Sequence, residues 1–468
     1  MLLILLYALF VSAAITSCDG AFTTSRDQRT PRWGGDNHCP RKARRASDDH
    51  GVSCVDDDGI DGVRTITTHY ETHLASGQEG EHRYRKFSRR RRFRRGGDDA
   101  PEEGTKLYRF TYDYNVMTVG GRCTSSNLTT TTTGIMLIHP IGVGIGKWYY
   151  DRLLTSLRDR VCGDVGGHRY IFLVPDLLGS ATASGPTDDI GGTIPELPLL
   201  NVTDWSRQIA HLMADHEAMS EAGGFPVGSW AIVANGGCSP MALQAAASSS
   251  SGTAPFKAAL TNVVISSPPK LSFFLDPADP VRVRNSYRTL SGIVGRLFWW
   301  YSLRRNGRFI RKFSERNLVG DPTSLGTEWT PNCLMSACLH DGRSRYSTFA
   351  FLAGALQDGC AESLNAMNNV SIDFIRGSDG RRNRAKSWFW SRKGRRAGGG
   401  DPDDDDEGGA ANPIRNDATT LTEGSIQQFV HDNGYGGREL LVGGRISLAW
   451  EDPTGYADRL MELLREYN

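Results

Sequence analysis

Four short apolar runs, GIMLI at 134–138, YIFLV at 170–174, WAIVA at 230–234 and NVVI at 262–265, alternate with segments of helical periodicity. A helix beginning near Lys147 places Trp148, Tyr149, Leu153, Leu154 and Leu157 together, and one from Asp204 to Met219 does the same with Trp205, Ile209, Leu212 and Met213. A run that is apolar end to end suits a strand covered on both faces, and a helix between two such strands connects them in parallel. The spacing therefore predicts an α/β chain with a mostly parallel sheet and helices on both faces. An alternating strand at 108–117 (YRFTYDYNVM) opens the series. From 276 to 360 the pattern is helical throughout, with large aromatics at Phe298, Trp299, Trp300 and Tyr301. The sheet resumes at 370–375 and 439–442, and a last helix is expected from about Gly455 to Glu466.

The stretch from Ser229 to Leu243 (SWAIVANGGCSPMAL) carries the most chemistry. It reads as a buried strand, a tight glycine turn and a helix. A strand-to-helix turn of this kind holds a nucleophile on a strained backbone, with its side chain clear of the sheet. The turn resembles the nucleophile elbow of the α/β-hydrolases, whose small-x-nucleophile-x-small pattern, aligned on strand residues Ile232 and Val233 and on Ala242, implies Ala234 at the first small position and Gly236 at the nucleophile position. Glycine suits the strain but has nothing to attack with. A shift of two residues makes Cys238 the nucleophile, at a helix N-terminus that favours a thiolate. Ser239 is a third reading, either as nucleophile or as a helix cap ahead of Pro240.

From about Tyr108 to its end, the chain resembles the α/β-hydrolase superfamily. Three segments carry the likeness: His139-Pro-Ile-Gly-Val-Gly144, Val174-Pro-Asp-Leu-Leu-Gly179 and the glycine turn. The first of them is similar to a branch found in cyanobacteria and plastid-bearing organisms. The resemblance implies an α/β-hydrolase fold with an inserted helical lid at 276–360. It also implies an oxyanion-type loop at His139, with backbone donors at Ile141 and Gly237 and close approach of a ligand at Gly142, Gly144 and Gly146. His139 could instead serve the loop by bonding to backbone. The triad acid falls on Asp379, after FIRGSD. The base should follow the last strand, before Glu451-Asp-Pro453, but Arg445 or Ile446 stands there, and His431 lies on the wrong side of that strand. Nucleophile and base thus depart from the pattern together, which argues against ordinary serine-hydrolase chemistry.

The rest of the chain divides by composition. Residues 1–21 read as a signal peptide. The Ala21-Phe22 junction and the Ser, Thr and Arg residues after it resemble the bipartite presequence of algae with complex plastids. Residues 22–106 are expected to be a transit-like segment and a disordered basic linker, 107–275 and 361–468 the two parts of the core, and 381–420 a charged surface insertion. A net charge of +1 over 468 residues sets up no global field for nucleic acid or for a membrane surface. Nine scattered cysteines fit neither a zinc site nor a disulfide scaffold and are expected to be mostly free thiols.

These features lead to an expected function. The chain should be a degenerate hydrolase-fold protein, plastid-delivered by the secretory route (or else secreted), without cofactor or metal. It should bind an apolar small molecule, for which the aromatic lid supplies a lining, or act by non-classical chemistry, with no stable membrane span after signal cleavage. The alternatives are an active hydrolase or acyltransferase using Cys238, or a water activated by His139, and an interaction scaffold whose charged segments recruit partners.

Overall fold

The computed structural model describes residues 54–55, 62–74, 107–120, 132–161, 168–188, 191–192, 196–269, 273, 275–304, 306–367, 369–378, 430 and 437–466. The signal and transit segments, the arginine run from Arg83 to Arg95, Asp379, His431 and the 381–420 insertion lie outside them.

Among the described residues ten strands form one sheet: β1 (Cys54–Val55), β2 (Val63–Thr72), β3 (Tyr108–Gly120), β4 (Thr132–Ile138), β5 (Arg169–Pro175), β6 (Thr187–Asp188), β7 (Val227–Asn235), β8 (Ala259–Ser266), β9 (Ser371–Gly377) and β10 (Glu439–Val442). Their order is β1-β2-β3-β5-β4-β7-β8-β9-β10, with the two-residue β6 paired to β3. From β5 to β10 every pairing is parallel, whereas β2 and β3 are antiparallel to each other and β3 to β5. A mixed sheet whose reversed strands, β1 and β3, both come early, with a crossed β4/β5 pair and helices around it, is the α/β-hydrolase fold expected from the sequence.

The helices are α1 (Asp151–Val161), α2 (Val202–Ala222), α3 (Ser239–Ser250), α4 (Pro280–Ser291), α5 (Ile293–Phe298), α6 (Gly307–Asn317), α7 (Trp329–Gly342), α8 (Arg345–Ala353), α9 (Ala361–Ala366), α10 (Leu448–Glu451) and α11 (Pro453–Glu466). Helices α4 to α9 lie between β8 and β9, and α4 to α8 fall within 276–360, where the lid is expected.

Strand periodicity splits the core between the two faces. On β7, Trp230, Ile232 and Ala234 join one cluster, and Ala231 and Val233 the other. On β4, Met136 and Ile138 share the first cluster, and Ile135 and Leu137 the second. A residue of opposite parity on these strands would exchange faces, so register is fixed by packing. The first cluster takes in α2, α3 and much of the lid; the second takes in α1 and α11. Asn201 begins α2 with a reciprocal capping box, its side chain accepting from the Asp204 N–H while Asp204 accepts from the Asn201 N–H.

One expectation needs correcting. Residues 63–72, placed in the linker by composition, form the ten-residue β2, paired along its whole length with β3. The segment VRTITTHYET hides its strand character because threonine fills the turns of the alternation. Ile66, Tyr70 and Thr72 are the buried positions, and the β-branched threonines suit a pleated surface. The cysteines also divide. Cys238, Cys333 and Cys360 are free and buried, whereas Cys338 is disulfide-bonded.

Candidate functional site

β7 ends at Asn235, and the chain turns through Gly236 at φ +44° before a 3-10 turn (Gly236–Cys238) leads into α3. That left-handed conformation costs an L-residue roughly 1–2 kcal/mol, and glycine adopts it freely. A Cβ on Gly236 would meet only the carbonyl oxygen of Ser267, at 3.3 Å. A Cβ here would need the Ser267 carbonyl to give by a few tenths of an ångström, and the nucleophile position carries no side chain.

Neither neighbour fills the gap. Cys238 is 1% exposed, and its thiol points at the carbonyl of His139 at 3.5 Å. Burial pushes the thiol up to about 12, and a hydrogen bond from the Ile141 backbone only partly offsets this. The thiol stays protonated at neutral pH despite its place beside a helix N-terminus, because desolvation outweighs the dipole. Ser239 is fully buried at the first position of α3, and its hydroxyl donates to the Gly236 carbonyl at 2.7 Å. It braces the turn; it is not the residue before the helix.

His139 is also fully buried. Its Nδ1 lies 3.0 Å from the Pro140 carbonyl, and Nε2 accepts from the Leu177 N–H at 3.2 Å. These partners require the neutral Nδ1–H tautomer, and burial lowers the imidazole's affinity for a proton. With both nitrogens committed to backbone, the ring ties the loop after β4 to the loop after β5. The loop itself is fastened under the lid: Thr348 of α8 donates to the Gly142 carbonyl at 3.0 Å, and the Trp148 indole donates to the Gly144 carbonyl at 3.1 Å. Gly144, at φ +67°, runs so close to α7 that a Cβ would fall 1.8 Å from the Cys333 carbonyl oxygen. Ile141 is buried, which leaves the loop's apolar side facing inward.

The loop after β10 reaches the elbow without a histidine. The Ile446 carbonyl accepts from Ser267 Oγ at 2.7 Å and from Asn235 Nδ2 at 3.4 Å. Glu451 of the Glu-Asp-Pro motif holds this loop from below. One of its oxygens accepts from the Gly320 and Asp321 N–H groups, the other from the Arg445 N–H at 2.9 Å. Ile446 and Ser447 donate to the Leu318 carbonyl. The place of the base is thus occupied by braced main chain. β9 ends beside this loop, with the Ser378 N–H donating to the Val442 carbonyl at 2.8 Å; Asp379 is the next residue.

Apolar side chains cover the turn. A Cβ on Gly237 would be in van der Waals contact with Phe351 of α8 at 3.5 Å, and with Leu356 and Phe273 at 3.9 Å. Of the aromatics singled out in the lid, Trp299 is buried in the core, edge-to-face with Phe349, while Tyr301 is 67% exposed. The lid is bolted down at its far end. Trp329 of α7 packs edge-on against Trp148 and Trp450 with ring centres 5.3 and 5.1 Å apart, and Arg152 lies over Trp450 and pairs with Glu328. Aromatic pairs of this geometry add about 0.5–1.5 kcal/mol each beyond their buried area.

Ser267, at φ +51°, together with Asn235, Phe273 and Phe351, belongs to the site but was not singled out in the sequence. Only Ser267 and Asn235 had a legible cue, at the ends of the strands flanking the turn. Among the described residues no group of three or more His, Cys, Asp or Glu side chains could hold a metal ion.

No family model and no curated protein sequence matches the chain. Solved structures do. The peroxisomal alpha-beta-hydrolase Lpx1 from Saccharomyces cerevisiae is 12% identical, with 87% of this chain and 90% of that one covered and a TM-score of 0.48. A thermophilic esterase from Thermogutta terrifontis is 10% identical over 76% and 94%, with a TM-score of 0.43. A haloalkane dehalogenase variant from Bradyrhizobium elkanii is 12% identical over 86% and 97%, with a TM-score of 0.40. Strand order, the left-handed glycine turn at the end of β7 and the helical segment between β8 and β9 together define this chain as an α/β-hydrolase fold.

Proposed function

We propose that this protein is a non-hydrolytic member of its fold that binds an apolar, acyl-type small molecule above Gly236, beneath α8. The observation that carries the reading is the turn itself. Gly236 has the nucleophile's backbone without its side chain, while Cys238, Ser239 and His139 are each buried and committed to backbone partners. Phe273, Phe351 and Leu356 supply the apolar cover that such a ligand needs. The Ala21-Phe22 junction supports delivery to a plastid by the secretory route, which fusion of residues 1–45 to a fluorescent protein tests in a host with complex plastids.

Substitution at Gly237 tests the pocket. Gly237→Ala adds a methyl at ordinary contact distance and should leave binding of a fluorescent medium-chain fatty acid intact. Gly237→Phe places a ring among Phe351, Leu356 and Phe273 and should weaken binding at least tenfold. Equal binding by the two variants would place the ligand elsewhere.

A further inference from the structure

Among the described residues, exposed large apolar side chains are concentrated on two helices of the lid. α5 runs directly into a single π-helical turn, Trp299–Leu303. Along this continuous helix Gly295, Trp299 and Leu303 are buried, while Ile293, Leu297 and Tyr301 are 76%, 52% and 67% exposed. On α6, Ile310 and Ser314 are buried, and Phe309 and Phe313 stack on the outside with ring centres 6.2 Å apart. A soluble surface scatters exposed apolar residues singly; here they recur at every fourth position on two consecutive helices that pack together.

Charge is concentrated in the same segment. Between Pro280 and Asn317 the sequence has nine arginines and one lysine against a single acid, Glu315, in a chain whose net charge is +1. Arg288, Arg296, Arg308, Lys312 and Arg316 are exposed. Within the segment Arg296 pairs with Glu196 and Arg311 with Glu315.

We infer that the face formed by α5, the π-helical turn and α6 docks on an anionic lipid bilayer. Exposed apolar residues at helical spacing, flanked by arginine and lysine, combine insertion at the headgroup boundary with attraction to acidic headgroups. A soluble polyanion would satisfy the charges but would leave Ile293, Leu297 and Tyr301 in water, so the apolar row favours the membrane. The site and this face are joined through the lid: α8 covers Gly237, and α4, which leads into α5, packs on α8. Docking would bring the lid over the elbow to a lipid surface. The inference goes beyond the pocket reading and does not depend on it, since docking needs no ligand at Gly236.

The test is co-sedimentation of the full chain with vesicles of phosphatidylcholine alone, or containing about 30% phosphatidylserine. Wild type should bind the anionic vesicles at least tenfold more tightly, and lose binding as salt is raised. Each basic residue at such a surface is worth about fivefold in affinity, so Arg308→Ser with Lys312→Ser should weaken binding about 25-fold. Ile293→Ser with Leu297→Ser should weaken vesicle binding more than tenfold while leaving retention on heparin unchanged. All four positions are exposed, and unchanged thermal melting confirms folding. No vesicle binding, equal binding to both vesicle types, or vesicle binding unaffected by the Ile293/Leu297 pair would each overturn the inference. The last outcome, with heparin retention intact, would identify a soluble polyanion site. Loss of fatty-acid binding in Gly237→Phe with vesicle binding intact would leave the docking inference standing.

Discussion

Alanine at Gly144 should be far more damaging than alanine at its neighbour Gly142, although both lie in one loop. At Gly144 a Cβ would sit 1.8 Å from the Cys333 carbonyl oxygen and 2.9 Å from the Cys333 Cα, on a backbone at φ +67°. The obstacle is main chain of α7, which is held by Trp329 packed on Trp148 and by Glu328 paired with Arg152 of α1, so it cannot rotate away. Relief needs a displacement of more than 1 Å, on the order of the gap between 1.8 Å and normal contact. The left-handed backbone adds roughly 1–2 kcal/mol, and overpacking typically a further 1–3 kcal/mol, for a loss of about 2–5 kcal/mol. At roughly 2–4 °C per kcal/mol for a domain of this size, the melting midpoint should fall by about 4–20 °C. At Gly142 the nearest atom is the flexible Cδ1 of Ile145 at 2.8 Å, which a rotamer change can move, so the loss should stay below about 1 kcal/mol. Gly236→Ala, with one contact at 3.3 Å and φ +44°, should fall between them. Thermal denaturation of the three variants gives the order. Gly144→Ala melting with Gly142→Ala would refute the seating of the lid on this loop.

Three further outcomes follow from buried groups. Native Cys238 should resist iodoacetamide at pH 8, because its thiol is buried and pushed up to about 12; mass spectrometry showing it labelled as fast as in denaturant would contradict this. His216 is buried and its folded-state value is lowered to about 4, chiefly by burial, so the fold binds its proton less well than the unfolded chain. Its contribution is present above about pH 6.5 and is lost as pH falls toward 4, up to about 3 kcal/mol. His216→Gln should therefore lose less stability than wild type on acidification, and parallel urea-denaturation profiles would refute that. Asp151 has the opposite sign: burial raises it to about 7, against the pull of Lys147, so its contribution is lost as pH rises through 7, and Asp151→Asn should gain on wild type at pH 8.

The fold was legible because burial on both faces writes itself into β4, β5, β7 and β8 as continuous apolar runs. β2 was not, because an outer strand rich in threonine carries its pattern in Ile66 and Tyr70 alone. At the site, the sequence located the glycine turn, yet left Cys238, Ser239 and His139 open as reactive groups. Their chemistry depends on desolvation and on partners brought from elsewhere: the His139 carbonyl for Cys238, the Leu177 N–H for His139. Neither is a property of residue type or spacing. Phe273 and Phe351 join the site only through the path of the lid, which local periodicity does not encode. The lid's exposed face was hidden for a related reason. Ile293, Leu297 and Tyr301 have the spacing of a core stripe, and only burial separates them from Trp299 and Leu303.

The central claim is that the elbow holds an apolar molecule and does not react with it. Native mass spectrometry of the protein incubated with a medium-chain p-nitrophenyl ester separates the possibilities in one spectrum. The account predicts a one-to-one complex at the mass of the intact ester, no release of p-nitrophenol above the buffer rate, and no complex in Gly237→Phe. A covalent adduct at the mass of the acyl group, or product formed faster than in buffer, would contradict it.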